Sequence, residues 1–240
     1  MMILDWHGVA SHIDWRDTTV KIALLATISI LCIGIAAGGY YWLYRSRQLQ
    51  AQAALSESLD GWNVVLMRLM QGQLNPAQAA EQWQELQVAF AHAYERNSAS
   101  GLAPYMQLFQ AQVTALAGQP EEAYQGMQKA LPALTSSPYY QLYRLYAALL
   151  ATSLSDHVTE GARVLQELAQ ASSNPFRSLA LIALGQYKIA QGDVAAALQD
   201  WHTVIDLAKK DATATDNRQQ IVVAQARQLL VQYGSVADQQ

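Results

Sequence analysis

The sequence predicts an all-helical protein in which one membrane-spanning helix precedes an array of helical hairpins. Residues 22–44 form a run of 23 residues without a single charged side chain. After that run, apolar residues keep helical spacing, and breaks rich in Gly, Pro, Asn, Asp and Ser separate segments of mostly 13 to 20 residues. Ala, Leu and Gln are abundant and β-branched runs are scarce outside the apolar segment, so the composition favours helix.

The uncharged run has the length and the ending of a membrane anchor. As a helix it measures about 34 Å, enough to cross a hydrocarbon core of about 30 Å. It ends in Tyr40, Tyr41, Trp42 and Tyr44, whose rings are typical of a membrane–water interface. A cleaved signal peptide is disfavoured, because its apolar region rarely exceeds about 15 residues and is not preceded by a long head with three Asp residues.

These boundaries give three parts: a short cytoplasmic head at residues 1–21, a transmembrane helix at 22–44 and an outer domain at 45–240. The flanking charges do not decide the orientation. Arg16 and Lys21 precede the run and Arg45 and Arg47 follow it, which is a tie under the positive-inside rule. A short head and a long tail make the head-inside arrangement mechanically reasonable.

Gly34 and Gly38 form a G-x-x-x-G pair inside the run. Small residues four apart allow membrane helices to pack closely, so the pair predicts a homodimer or docking onto another membrane helix. The alternative is that they are ordinary small residues of a membrane helix.

Seven breaks divide the outer domain, at residues 72–76, 97–104, 118–120, 136–138, 155–157, 172–175 and 192–193. Pro120 followed by two Glu residues is typical of a helix start. The segment 48–70 contains no Pro, so the first outer helix is expected to continue the membrane helix. The last segment, 216–233, is amphipathic and predicts a helix that caps the array.

A repeat emerges when the small residues are aligned. The clearest unit runs from Ser178 to about Lys210 and contains Gly185, Gly192 and Trp201. It resembles the tetratricopeptide unit, in which small residues let two helices touch. Equivalent alanines lie at Ala79, Ala123, Ala162 and Ala197, spaced by 44, 39 and 35 residues, so the sequence predicts a divergent tetratricopeptide-like array. We assign these residues to packing.

Four segments carry a resemblance to a known family: residues 39–42 (Gly-Tyr-Tyr-Trp), 52–56, 178–185 and 192–201. With the short head and single anchor, the chain resembles the bacterial ancillary subunits of the Sec translocon, which accompany a periplasmic chaperone. The resemblance implies a single-pass type II protein of the inner membrane with its C-terminal domain in the periplasm. It also implies the Sec translocon, a periplasmic chaperone or nascent secretory chains as partners.

In tetratricopeptide arrays the first helices of the hairpins line the binding groove. Projecting the repeat alignment nominates Tyr105, Leu108, Gln112, Arg144, Ala147, Leu179, Ile182 and Gln186. Arg144 is the one charge in this set and could clamp a carboxylate. Alternatively, Leu179 and Ile182 cover a C-terminal helix that folds across the groove.

Tyr139, Tyr140, Tyr143 and Tyr146 place several rings on adjacent turns of one helix. They are expected either to pack between repeats or to form a platform for a peptide, because Tyr suits both roles.

No catalytic, metal or cofactor site is predicted. None of the five His residues lies four residues from another, and no nucleophile elbow or phosphate-binding loop occurs. Cys32, the single cysteine, lies inside the apolar run, which excludes a disulfide within one chain. Residues 45–240 carry 13 Lys and Arg against 16 Asp and Glu, a net charge of −3 that argues against nucleic acid.

The sequence therefore predicts a membrane-anchored adaptor that binds proteins and is not an enzyme. The alternative is a structural scaffold for assembling another cell-envelope complex.

Overall fold

The computed structural model describes the backbone of residues 18–210 and 217–237 and the side chains of residues 41–210 and 220–234. Within these residues the chain is α-helical apart from one short 3₁₀ helix, which confirms the predicted all-α class. The helices are α1 (Thr18–Met70), α2 (Pro76–Arg96), α3 (Ala103–Leu116), α4 (Pro120–Ala130), α5 (Tyr140–Thr152), α6 (Val158–Gln170), α7 (Arg177–Ala190), α8 (Val194–Lys210) and α9 (Asn217–Ala237). The 3₁₀ helix, Leu131–Leu134, follows α4.

Helix α1 is continuous over 53 residues, as the lack of Pro in segment 48–70 predicts. The chain divides after Ala53 into two units, and the packing described below belongs to the second. In the part of the chain that the structure describes, no helix is long and apolar enough to span a membrane. The side chains of the predicted transmembrane segment up to residue 40, including Gly34 and Gly38, lie outside the described residues, as does most of the head.

The second unit contains three successive helical hairpins with an even period. Their first helices begin at Ala103, Tyr140 and Arg177, each 37 residues after the last. Every helix from α2 to α9 packs against its neighbours in sequence, and α9 packs on α8 and α7. The second helices begin at Pro120, Val158 and Val194, and the five-residue turn delays the middle one. Ala162 also lies one residue further into its helix than Ala123 and Ala197 do, so the spacing of the alanines hid this period.

The two outer hairpins turn on a glycine with a positive φ. Gly118 and Gly192 have φ values of 88° and 82°, which only glycine adopts without strain, and each lies in a three-residue turn. The middle hairpin has Ser155 at the corresponding position and a five-residue turn instead. The turn glycine therefore accompanies the shorter turn of the two outer hairpins.

Small residues at one repeated position let the helices of each hairpin touch. Ala111, Ala148 and Gly185 are spaced by 37 residues and are all buried. A methyl group built on Gly161 of α6 would meet the Ala148 carbonyl oxygen at 2.7 Å, and one built on Gly185 would meet Nε1 of Trp201 at 2.3 Å. The Ala148 backbone lies so close to Gly161, and the Trp201 ring so close to Gly185, that a larger side chain at either glycine would displace its neighbour.

The core is divided into three clusters along the array. The first joins the end of α1 to α2 and α3 through aromatic rings, among them Trp62 and Trp83 at 5.5 Å between centroids. The last surrounds Trp201, whose fully buried ring confirms the packing role predicted for it. Tyr233 of α9 lies against that ring at 5.7 Å between centroids, so the last helix packs on α8.

Candidate functional site

The eight predicted groove residues do not form one exposed surface. Leu108, Ala147 and Ile182 are buried in the core. Tyr105, Gln112, Arg144 and Leu179 are half-buried, and Gln186 is exposed.

The 37-residue period explains why the set is uneven. Residues two periods apart occupy the same position in their helices. By this rule, the positions of Tyr105, Leu108 and Gln112 on α3 are taken on α7 by Leu179, Ile182 and Gln186. In the middle hairpin the same positions are residues 142, 145 and 149, all leucines. Arg144 and Ala147 therefore stand two residues out of register and belong to a different face of α5.

Three large apolar side chains are exposed on and next to the first helix α5. Tyr139, Tyr146 and Leu149 are exposed by 52%, 43% and 38%, and they follow each other along one side of the helix. We call these three residues the α5 apolar stripe. Gln112 on α3 and Gln186 on α7 occupy the positions that match Leu149 in the neighbouring hairpins.

Two other tyrosines of the cluster, Tyr143 and Tyr140, pack between the helices, which is one of the two roles weighed for it. Tyr143 is buried and meets Tyr105 edge-to-face at 6.3 Å between ring centroids. Burial, followed by the neighbouring Tyr105 hydroxyl, raises the pKa of Tyr143 above its ordinary value of 10.0. Tyr140 is half-buried and packs against the same core cluster.

A cleft of about 350 Å³ lies between the second helix of one hairpin and both helices of the next. We call it cleft A. Its apolar lining comes from Leu131, Pro132, Ala147, Ala148, Ala151 and Val164, and its polar lining from Tyr124, Gln128, Tyr140, Arg144, Glu160 and Arg163. An apolar floor with a few polar groups is the usual composition of a ligand-binding cleft.

Four charged groups form a network at this cleft. Arg144 Nη2 donates to Glu167 Oε2 at 2.8 Å, and Arg163 pairs with Glu160 at 2.6 Å and with Glu167. The hydrogen bond from Arg163 lowers the pKa of Glu160 below its ordinary value of 4.5. Glu167 thus links an arginine on α5 to one on α6.

A second cleft, of about 260 Å³, lies between α6, α7 and α8. We call it cleft B. It is lined by Gln166, Ala169, Gln170, Arg177, Leu181, Leu184, Lys188 and Asp200. Lys188 Nζ lies 2.7 Å from Asp200 Oδ2, and Arg177 Nε donates to the Ala169 carbonyl oxygen at 2.8 Å.

The two clefts occupy equivalent places in successive hairpins. On α5, cleft A is lined by Tyr140, Arg144, Ala147 and Ala151. On α7, cleft B is lined by Arg177, Leu181, Leu184 and Lys188, each 37 residues later. The predicted groove residues do not include Arg177 and Lys188, which lie on the opposite face of the first helix α7, or Arg163, which lies on the second helix α6. No local signal in the sequence groups these residues, because they meet only where three helices come together.

No family model, curated protein or solved structure matches this chain. The case for a function therefore depends on the chain's own residues. In the described range, no three His, Cys, Asp or Glu side chains are grouped so that they could hold a metal ion.

Proposed function

We propose that this protein is a membrane-anchored adaptor whose tetratricopeptide-like array binds other proteins. The observation that carries the proposal is the α5 apolar stripe, because three large side chains are exposed together on the first helix of the central hairpin. Exposed apolar residues in a row are typical of protein contacts, and Tyr contributes both an apolar ring and a hydroxyl.

The periodicity supports an array of the tetratricopeptide kind. Three hairpins repeat every 37 residues, near the 34 of that unit, with a small residue at each helix contact and a glycine in two of the turns. A final helix covers the last hairpin, as solubility of such arrays requires.

The membrane anchor would contribute to the function by holding the array at the membrane. The uncharged run at 22–44 has the length of a membrane helix, and Tyr41, Trp42 and Tyr44 at its end are exposed. A tethered array has a high effective concentration at the membrane, so binding there needs no catalysis. The resemblance to ancillary Sec subunits makes the Sec translocon, a periplasmic chaperone or emerging secretory chains the partners of first choice.

Photo-crosslinking in cells tests the adaptor. A photoreactive residue at Tyr146 should capture the partner, whereas one at Gln125, exposed on the second helix α4, is the matched control. Mass spectrometry of the adducts after mild detergent extraction identifies the partner. Equal adducts from both positions, or none from Tyr146, would reject the adaptor; adducts without Sec subunits or chaperones would reject only the translocon assignment.

A reporter fused after Gln240 tests the orientation. Activity of a periplasm-dependent reporter, such as alkaline phosphatase, is expected. Activity of a cytoplasm-dependent reporter instead would overturn the type II arrangement.

A scaffold for an envelope complex is the second candidate, favoured by the end of α1. Val64, Leu66, Met67, Leu69 and Met70 are all exposed within seven residues. Exposed apolar residues grouped in this way are typical of a surface that contacts another protein. A photoreactive residue at Met67 should then trap the same single protein under all growth conditions, and a changing set of adducts would reject the scaffold.

A further inference from the structure

The methionines of the outer domain fall into two groups of opposite exposure. Residues 45–240 contain four methionines and no cysteine. Met106 and Met127 are exposed by 0% and 3%, whereas Met67 and Met70 are exposed by 54% and 75%. Solvent therefore reaches two of these side chains and is excluded from the other two.

Met67 and Met70 lie together at the end of α1, and we call them the exposed methionine pair. They are three residues apart, which places them on one side of the helix, and Met70 is its last residue. The core cluster to which this end of α1 contributes contains Val65 and Trp62 but neither methionine. A change confined to the pair therefore leaves the core contacts of α1 intact.

Exposure decides which methionines a dissolved oxidant can reach. With hydrogen peroxide, the thioether sulfur takes one oxygen atom: an S–O bond forms, the O–O bond breaks and water leaves. The sulfur is oxidised to the sulfoxide and the peroxide is reduced. The buried methionines react more slowly, because the core around them is open for only a small fraction of the time.

The sulfoxide changes the surface and can be removed again. It is polar, whereas the thioether is apolar, and the neighbouring side chains of Val64, Leu66 and Leu69 are exposed and apolar. Methionine sulfoxide reductases return the sulfur to the thioether: a dithiol is oxidised to a disulfide, and the oxygen leaves as water. Oxidation at this point therefore replaces apolar surface by polar surface in a reversible way.

We propose that the exposed methionine pair is a reversible oxidation site, at which peroxide adds polar oxygens to the apolar end of α1 while the hairpins stay folded. This inference goes beyond the proposed adaptor function and does not depend on which protein contacts the end of α1. It makes that surface sensitive to oxidants without a cysteine.

The test treats the full-length protein in detergent micelles with hydrogen peroxide and locates the added oxygen by tryptic digestion and tandem mass spectrometry. Cleavage after Arg68 and Arg96 separates the methionines into three peptides, 48–68 with Met67, 69–96 with Met70 and 97–129 with the two buried ones. Both peptides of the pair should gain oxygen at least about tenfold faster than peptide 97–129. In concentrated urea, where the core is open, the three peptides should react at similar rates.

Two variants separate the pair from the core. Met67→Leu combined with Met70→Leu, in which each thioether is replaced by a side chain of similar volume that cannot take oxygen, should abolish the fast reaction. Met106→Leu is the matched control and should leave the fast reaction unchanged. Circular dichroism should show the same helix content and the same Tm before and after oxidation of the pair. Reductases of both stereospecificities, supplied with dithiothreitol, should restore the original peptide masses.

Four results would overturn the proposal. Equal rates in the three peptides of the folded protein, or the same preference in urea, would remove folding as the cause of the selectivity. A lower Tm after oxidation confined to the pair would show that these side chains support the fold. Sulfoxide that persists in the presence of the reductases would show that the site is not reversible. The peptide map of the unmodified chain needs no variant, so a folding defect of a leucine variant does not affect it.

Discussion

The indole of Trp201 occupies the space that any side chain at Gly185 would need. A methyl group on Gly185 would lie 2.3 Å from Nε1 and 2.7 Å from Cε2 of the ring. The same Nε1 donates to the Ile182 carbonyl oxygen at 3.3 Å, so the ring is held against α7 by its polar atom as well as by packing. Helices α7 and α8 of this hairpin are therefore in direct contact at Gly185 and Trp201.

Gly185→Ala should lower the free energy of unfolding by about 3 kcal/mol, because the buried, rigid ring of Trp201 cannot move away from the added methyl group without disturbing its own packing. This value lies in the upper part of the range for overpacked cores. Chemical denaturation monitored by circular dichroism measures the change. Gly234→Ala is the matched control: this helical glycine has nothing within 4 Å of the added methyl, so it should gain about 0.5–1 kcal/mol. A loss at Gly234 as large as that at Gly185 would contradict the assignment to Trp201.

Substituting either turn glycine by alanine should lower the free energy of unfolding by a similar amount. Gly118→Ala and Gly192→Ala should each cost about 1 kcal/mol, because both have a positive φ and open space around the added methyl, which leaves backbone strain as the cause. Equilibrium unfolding of the two variants checks this. Unequal costs would mean that the two turns are not equivalent repeats of one structure.

The sequence allowed the helical class, the turn positions and the packing role of Trp201 to be predicted, because Gly and Pro breaks and apolar spacing are local signals. It did not reveal the even period, since the middle hairpin has Ser155 where its neighbours have glycine and a longer turn displaces Ala162. Arg144 stands two residues out of register with the other predicted groove residues, and on a helix a shift of two residues places a side chain on another face. Cleft residues such as Arg177 and Lys188 could be grouped only once three helices were brought together.

Asp193 stabilises the start of α8, and removing its side chain should measurably lower the free energy of unfolding. Its Oδ1 accepts a hydrogen bond from the Ala196 amide at 3.1 Å, as an N-cap does. Asp193→Ala should cost about 1 kcal/mol of unfolding free energy, and Asp193→Ser should retain most of it. An equal loss in both variants would show that the side-chain oxygen is not the source of the stability.

Tyr143 should make the protein sensitive to alkali. Because burial raises its pKa above 10.0 in the folded state, the unfolded chain loses this proton more readily. The stabilisation is fully present below pH 10.0 and is lost as the pH rises through the folded-state pKa. Urea unfolding at neutral and at alkaline pH should show a smaller alkaline loss for Tyr143→Phe than for the unmodified chain; identical losses would refute the role of this hydroxyl.

Glu160 should show the opposite dependence, at acidic pH. Its pKa is lowered from 4.5 by the hydrogen bond from Arg163, so the stabilisation is present above pH 4.5 and is lost as the pH falls through the folded-state pKa. Both side chains are about half exposed, so solvent screening keeps the effect on stability small. Carboxyl carbon NMR titration should find a lowered pKa that returns towards 4.5 in Arg163→Gln and in high salt. Lys129→Gln removes a cation that has no ion pair with Glu160 and should leave the titration unchanged, so a shift of equal size there would assign the effect to net charge rather than to the Arg163 contact.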